Sequence, residues 1–414
     1  MGFFSKTPAP AAAPRAQPAP KAAAKPAPVA ITGLGLACHA GATPRSLISS
    51  ILGQISGVEL SDTYAIRMGD GTDDLARIAP VVELEGQQAQ QRMFTLSANA
   101  LWRAASNLPA NIKAERILIV TMVDPTLLRL KIITDQHRLQ SYMIDGMRRF
   151  EAATFRFLPN TATSAASALQ AAIAELNAGK WEALIFGGAD SLISMDACLN
   201  LNDQGRLNTV TNSNGIIPGE GAAFIVLQSK EIASHSTSPI LAYLSGLGVA
   251  AEPHARDADL HATEGLSTAI AQAIAQADLT ACDIQGLVHN LGAETVEVLE
   301  WDQTTKKTWP NRVDEQQRMA VQLGELEKAD TPDDPLPRAL QPYQTMGDTG
   351  AAALPMQLAT ALAWLEYDTH QARWGFPPRN HLLVCDTHAA TERGALIISR
   401  TLAAASQSTS KSVN

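Results

Sequence analysis

Residues 160–190, NTATSAASALQAAIAELNAGKWEALIFGGAD, constrain the fold of this chain more than any other stretch. They read as a tight loop, a helix over residues 165–178, a turn at Gly179 and a buried strand running into Gly187-Gly188. Ala, Leu, Ile and Ser fill the helix, so helix formers dominate and no broad polar face is left for water. Such a helix is buried on most sides and belongs at the centre of a sizeable α/β domain. Its small side chains allow a neighbouring layer or subunit to approach closely.

The rest of the chain is large enough to surround that centre. It has 414 residues, 46% of them hydrophobic, which suits one large domain or two fused ones. A formal charge of −9 argues against nucleic acid as the main partner. Cys38, Cys198, Cys282 and Cys385 are scattered, with no CxxC pair and no His cluster at metal spacing, so neither a metal nor a disulfide framework is expected. No run of about 18 apolar residues is present to span a membrane. The opening MGFFSKTPAP lacks the apolar core, about 7–15 residues long, of a signal peptide. A soluble, cytoplasmic protein is the expectation.

Residues 1–28 are set apart. From Thr7 onward they are mostly Ala and Pro with Arg15, Lys21 and Lys25 and no acid, a composition that favours extended chain and cannot build a core. They read as a disordered tail or tether, or as a docking sequence for an acidic partner. Residues 403–414 read as a short disordered tail. Between them, VAITGLGLAC is a strand entering a glycine turn, ATPRSLISSILGQISG and LSANALWRAASNL are helical, and ERILIVTMVD is a strand. GLGL is not GxGxxG, and no acidic residue closes a second strand at the right distance, so no dinucleotide or other cofactor is expected. Residues 29–234 and 235–402 each alternate strands with small-residue helices, consistent with a duplicated unit. Within the first, residues 126–157 interleave Arg129, Lys131, Arg138, Arg148, Arg149 and Arg156 with apolar residues. That pattern reads as a solvated helix face, or as a basic surface for an acidic partner.

Two motifs carry a resemblance. The 160–190 segment resembles the nucleophile loop and helix of the β-ketoacyl synthases, condensing enzymes of the thiolase superfamily, which have a pattern like TACATGAHAIGDA there. GRLNTVTNSNGIIPGEGAAFIVLQ is similar to the family's RPFDxxxDGFVxGEGAGxLVLE, with Gly219-Glu220-Gly221-Ala222 intact. Glu220 reads as a structural hydrogen-bond acceptor. The resemblance extends over residues 29–402 and implies a thiolase-like α/β fold, two similar halves in a layered αβαβα core. It also implies dimerisation through the strand after the central helix, near Trp181 to Phe186.

Family chemistry needs a thiolate to accept the acyl group, two imidazoles for the malonyl thioester, an oxyanion hole and a glycine-rich gate. With the glycines superposed, the cysteine position falls on Ala162, whose methyl cannot attack. Thr161, Thr163 and Ser164 beside it read as loop and helix-capping groups. The first histidine position, in VHNLGAETVEV, falls on Leu291; His289 lies two residues earlier on the same strand face. The second, in YQTMGDTGAAA, falls on Asp348, with Tyr343 at the family's lysine. A carboxylate there repels a malonyl carboxylate or enolate by about 4 kcal/mol at roughly 4 Å and an effective dielectric of about 20. Capping the next helix or anchoring a loop suits Asp348 better. In place of a GFGG gate stand His388-Ala389-Ala390-Thr391, followed by the charged Glu392 and Arg393.

The resemblance therefore implies a condensing-enzyme frame without its catalytic groups. Its expected work is binding, as an adaptor such as those that load effectors for type VI secretion, or as a chain-length-factor-like partner of an active ketosynthase. An acyl carrier protein is a further partner of this kind, and a homodimer is expected. The contrasting reading is an enzyme of altered acyl-transfer or hydrolase chemistry using Ser164, His289, Glu294 or Asp348, within a remnant pocket that includes Thr161, Thr163 and His388.

Overall fold

The computed structural model describes residues 26–123, 136–145, 147–159, 164–252, 263–291, 294–309, 315–327, 336–388 and 391–402, with backbone alone at 136–139, 148 and 315–318. In chain order the first half contains β1 (Val29–Cys38), α1 (Pro44–Leu52), β2 (Glu59–Arg67), β3 (Asp73–Ile78), α2 (Ala89–Ala105), β4 (Ile117–Val123), α3 (Gln136–Met143), β5 (Thr154–Pro159), α4 (Ala165–Asn177), β6 (Ala183–Ser191), α5 (Met195–Asp203) and β7 (Glu220–Ser229). After α6 (Lys230–Ser234) come β8 (Ala242–Ala251), α7 (Gly265–Ala277), β9 (Gly286–Val288), α8 (Thr295–Thr308), α9 (Glu315–Gln322), β10 (Ala339–Leu340), α10 (Tyr343–Met346), α11 (Ala353–Gln371), β11 (His381–Asp386) and β12 (Glu392–Ser399).

Apart from the β2–β3 hairpin, the strands lie in the order β10-β9-β11-β12-β8-β1-β7-β6-β4-β5. This order contains one topology twice. In β5-β4-β6-β7-β1 and in β10-β9-β11-β12-β8 the first two pairings are parallel and the last two antiparallel. Three antiparallel pairs, Val29 with Leu244, Ala30 with Tyr243 and Ile31 with Ala242, join the halves into one ten-stranded sheet. By the same correspondence α4 matches α11 and α2 matches α7.

Alternation along the strands builds the layers, because successive side chains point to opposite faces. On β4, Leu118, Val120 and Met122 join the central core, while Ile117, Ile119 and Val123 join a second core with α2. On β11, Leu382 and Val384 turn to the central core and Leu383 and Cys385 to a third core with α7. Both α4 and α11 sit in the central layer, and α11 is buried from Ala353 through Leu365. Ser164 caps α4, its Oγ accepting from Ser167 N at 3.1 Å, and Gly179 takes φ +74° after the helix ends.

Two expectations need correction. The strand after the central helix, β6, is interior, bonded to β4 on one side and β7 on the other. It has no free backbone for a second copy, and among the described residues the open edge of this half is β5. The basic stretch also spends its described cations internally. Arg156 grips Glu175 at 2.5 and 2.9 Å. Arg149 donates to the carbonyls of Leu108 (2.9 Å), Pro109 and Ile112. Arg129 and Lys131, and the side chains of Arg138 and Arg148, lie outside the described residues. No described helix is long and apolar enough to cross a membrane.

Candidate functional site

Three glycine-bearing loops converge at one end of the central layer. Gly219 N donates to Asp348 O at 2.9 Å and Asp348 N to Ile217 O at 2.8 Å, so the GEGA and GDTGAAA segments are stitched together. Gly350 has φ +53°, and a Cβ there would lie 2.1 Å from Asp190 Oδ2, so the turn tolerates no side chain. Glu220 is fully buried and accepts from Val81 N (2.6 Å), Arg92 Nε (2.8 Å), Ser191 Oγ (2.7 Å) and a second Arg92 nitrogen. It holds the frame and faces no open space for a reactant.

The start of α4, where the resemblance places the nucleophile, is occupied by the protein's own carboxylates. Glu392 Oε2 accepts from Ser164 N at 2.9 Å and Ser167 Oγ at 2.8 Å, and Asp386 Oδ2 accepts from Ala166 N at 2.9 Å. Unpaired N–H groups and the positive end of the helix dipole normally make such a terminus an anion site. Here the N–H groups of Ser164, Ala166 and Ser167 are all committed. Burial pushes the Asp386 carboxyl above its usual range, with the Ala166 N–H and the nearby His388 pulling the other way. Glu392 and Asp386 were not assigned a site role from sequence; the signal was charge in place of the gate's glycines. Ala162, Thr161 and Thr163 lie outside the described residues.

Beside this terminus, Arg206, Asn290, Glu297, Tyr343, Asp348, Gln357 and His388 line a cleft of about 30 Å³, room for a water or two. Asp348 Oδ1 accepts from Gly350 N at 2.8 Å, the short-range bond of a side chain that fixes its own turn. His388 Nδ1 stands 3.9 Å from the same oxygen, so these two residues are brought together. Tyr343 is committed, its hydroxyl accepting from Ile217 N at 2.9 Å and donating to Gly215 O at 3.2 Å. Burial raises its phenol above the usual range. Glu294 forms a bidentate pair with Arg206 at 2.8 and 2.6 Å and opens α8 through a capping box with Glu297, which ties up its carboxylate.

Two residues go elsewhere. Leu291 packs in the outer core against α7. His289 is fully buried, its ring 4.2 Å from that of Trp301, and neither nitrogen has a hydrogen-bond partner of normal geometry. Burial lowers its pKa to about 4, so the ring is neutral and sits in the core. Of the thiols, Cys38 and Cys198 are buried with pKa raised to about 12 by desolvation, Cys385 is driven higher still, and Cys282 is exposed. None of the four lines the cleft. Among the described residues no group of His, Cys, Asp and Glu is placed to hold a metal.

Residues 150–233 match the family model for the β-ketoacyl synthase N-terminal domain. No curated protein matches the chain by sequence. Solved structures do match it. The ishigamide ketosynthase/chain length factor has a TM-score of 0.65 at 15% identity, covering 91% of this chain and 99% of that one. A type II polyketide acyl-carrier protein in complex with its ketosynthase bound to the hexaketide gives 0.66 at 14% identity, over 91% and 100%. A β-ketoacyl synthase from Burkholderia phymatum STM815 gives 0.62 at 16% identity, over 91% and 100%. The chain thus has the thiolase-like ketosynthase fold, and residues 150–233 carry the signature of the β-ketoacyl synthase N-terminal domain.

Proposed function

We propose that this chain is a non-catalytic ketosynthase-like protein that acts by binding other proteins. The observation that carries the reading is the double carboxylate cap on α4, Glu392 and Asp386 on the N–H groups of Ser164 and Ala166. An acyl transfer needs that helix end to stabilise negative charge on sulfur or oxygen, and here fixed carboxyl groups already occupy two of its N–H groups. Ala162, Leu291 and Asp348 at the family's Cys, His and His positions support the same reading. An adaptor of the effector-loading kind used in type VI secretion is the role we assign. Units of 29–234 and 235–402, with tails of 1–28 and 403–414, are the organisation we infer.

A second reading is favoured by one feature. Strand β5, Thr154–Pro159, is an open edge in a fold similar to that of a ketosynthase/chain length factor. An open edge offers backbone to a second chain, so pairing there serves a homodimer or a heterodimer with an active ketosynthase. The test is to incubate the protein with acyl-carrier-protein thioesters and follow it by intact mass. No acyl adduct and no hydrolysis is expected. Turnover abolished by changing Ser164, Asp348 or His388 defeats the proposal. Light scattering after size exclusion tests the homodimer: twice the 44.0 kDa chain mass is expected, and a strict monomer overturns it and leaves only the heterodimer.

A further inference from the structure

The end of the molecule opposite the cleft carries a feature that the site does not explain. Trp374 is 79% exposed and Phe376 62% exposed, two large aromatic side chains flanking Gly375 in the turn between α11 and β11. Scattered surface apolars are ordinary, but adjacent exposed aromatics of this size mark binding surfaces. The sheet register brings the chain's own N-terminal segment to the same end of the sheet as the strand that follows them. Ala30 pairs with Tyr243, Tyr243 with Ser399, and Ser399 with His381, one row across β1, β8, β12 and β11. The starts of β1 and β11 are thus three strand spacings apart, roughly 15 Å. Ala27 also accepts from Asn177 Nδ2 at 3.4 Å, at the end of α4 away from the cleft.

We propose that Trp374 and Phe376 form a docking platform for the Ala/Pro-rich segment that precedes Pro26, in the same chain. Extended proline-containing segments dock on exposed aromatic rings because the polyproline conformation loses little entropy on binding. At about 3.1 Å per residue, about five residues cover the roughly 15 Å between the two strand starts, and the 25 that precede Pro26 leave ample length to reach back along the short turn from His381 to Phe376. Docking in cis follows from that reach, since the tether gives the segment a high effective concentration. The inference is independent of whether the cleft catalyses.

The test uses the full chain and the double variant Trp374→Ala, Phe376→Ala, whose exposed positions spare the core. Trypsin cleavage after Arg15 and Lys21 is followed by mass spectrometry, with the thermal midpoint confirming the fold. Cleavage about threefold or more faster in the variant is expected, and the protection in the native chain should be unchanged on dilution. Equal rates overturn the platform. Protection that disappears on dilution overturns docking in cis and assigns the platform to the segment of a second copy.

Discussion

Asp190 and Asp386 stand in equivalent places in the two halves, and each accepts from a backbone N–H at the start of the other half's central-helix segment. Each lies near the end of the strand that follows its half's central helix, β6 or β11. Asp190 Oδ2 accepts from Ala351 N at the approach to α11, and Asp386 Oδ2 accepts from Ala166 N in the first turn of α4, both at 2.9 Å. The exchange ties each half to the other across the central layer, and both carboxyls are buried.

Replacing Asp386 separates hydrogen bonding from charge. Burial already disfavours its ionised form. Asp386→Asn keeps an acceptor for Ala166 N and should cost no more than about 1 kcal/mol. Asp386→Leu strands that N–H and should cost about 1–3 kcal/mol. Thermal midpoints of the two variants check this; equal losses would mean that the carboxyl does not serve Ala166.

The Glu392 cap makes a prediction about reactivity. A thiol two residues before Ser164 would ordinarily gain from the helix terminus and ionise below its usual value of about 8.5. With Glu392 fixed on Ser164 N, an Ala162→Cys thiol should alkylate no faster than a free cysteine. Adding Glu392→Gln should speed it several-fold near neutral pH. Iodoacetamide rates against pH, corrected for the exposed Cys282 of the parent chain, measure both. A thiol ionised well below pH 7 in the single variant sinks the sealed-terminus account.

Buried charge dominates the frame beneath the site. Arg92 and Glu220 are 5% and 0% exposed at their side chains. Arg92→Leu leaves Glu220 ionised or unpaired in the core, at a cost of about 3–5 kcal/mol. Removing both partners, as Arg92→Leu with Glu220→Leu, should lose less than the sum of the two single changes. Circular dichroism melts of the singles and the double close that cycle, and additive losses would show the two to be uncoupled.

Local chemistry made much of this fold legible. Small-residue composition placed α4 within a residue of its observed end, and Gly179 marked the turn that follows it. Glu220 was readable as an acceptor because glycines on both sides let other backbones close on it. The reciprocal aspartate bonds were not readable, since each joins residues far apart in sequence, 161 positions for Asp190 and 220 for Asp386. Arg149 and Arg156 looked like a free basic surface for the same reason. Their acceptors, carbonyls from 108 to 112 and Glu175, belong to other elements. Which strand forms the edge was not readable either: the pairing order places β6 inside the sheet and leaves β5, with its Arg156, open among the described residues.

His289 sets the last prediction, a pH dependence of stability with a defined sign. Its folded pKa is about 4 against an ordinary value of 6.5, lowered by burial in the core against Trp301. Above pH 6.5 the ring is neutral in both folded and unfolded chains, and its full contribution is present. Between 6.5 and 4 the unfolded chain takes up a proton that the folded one refuses, so stability falls as pH falls. Below 4 both states are protonated and the slope ends. The total is about 3 kcal/mol. Asp386, whose carboxyl burial raises, works in the opposite direction, so the measurement is a difference between variants. His289→Phe keeps a ring against Trp301 and removes the titration. The gap between its thermal midpoint and that of the parent chain should therefore move in favour of the variant from pH 7 to pH 5. A gap constant over that range would mean that the imidazole is hydrated and titrates normally.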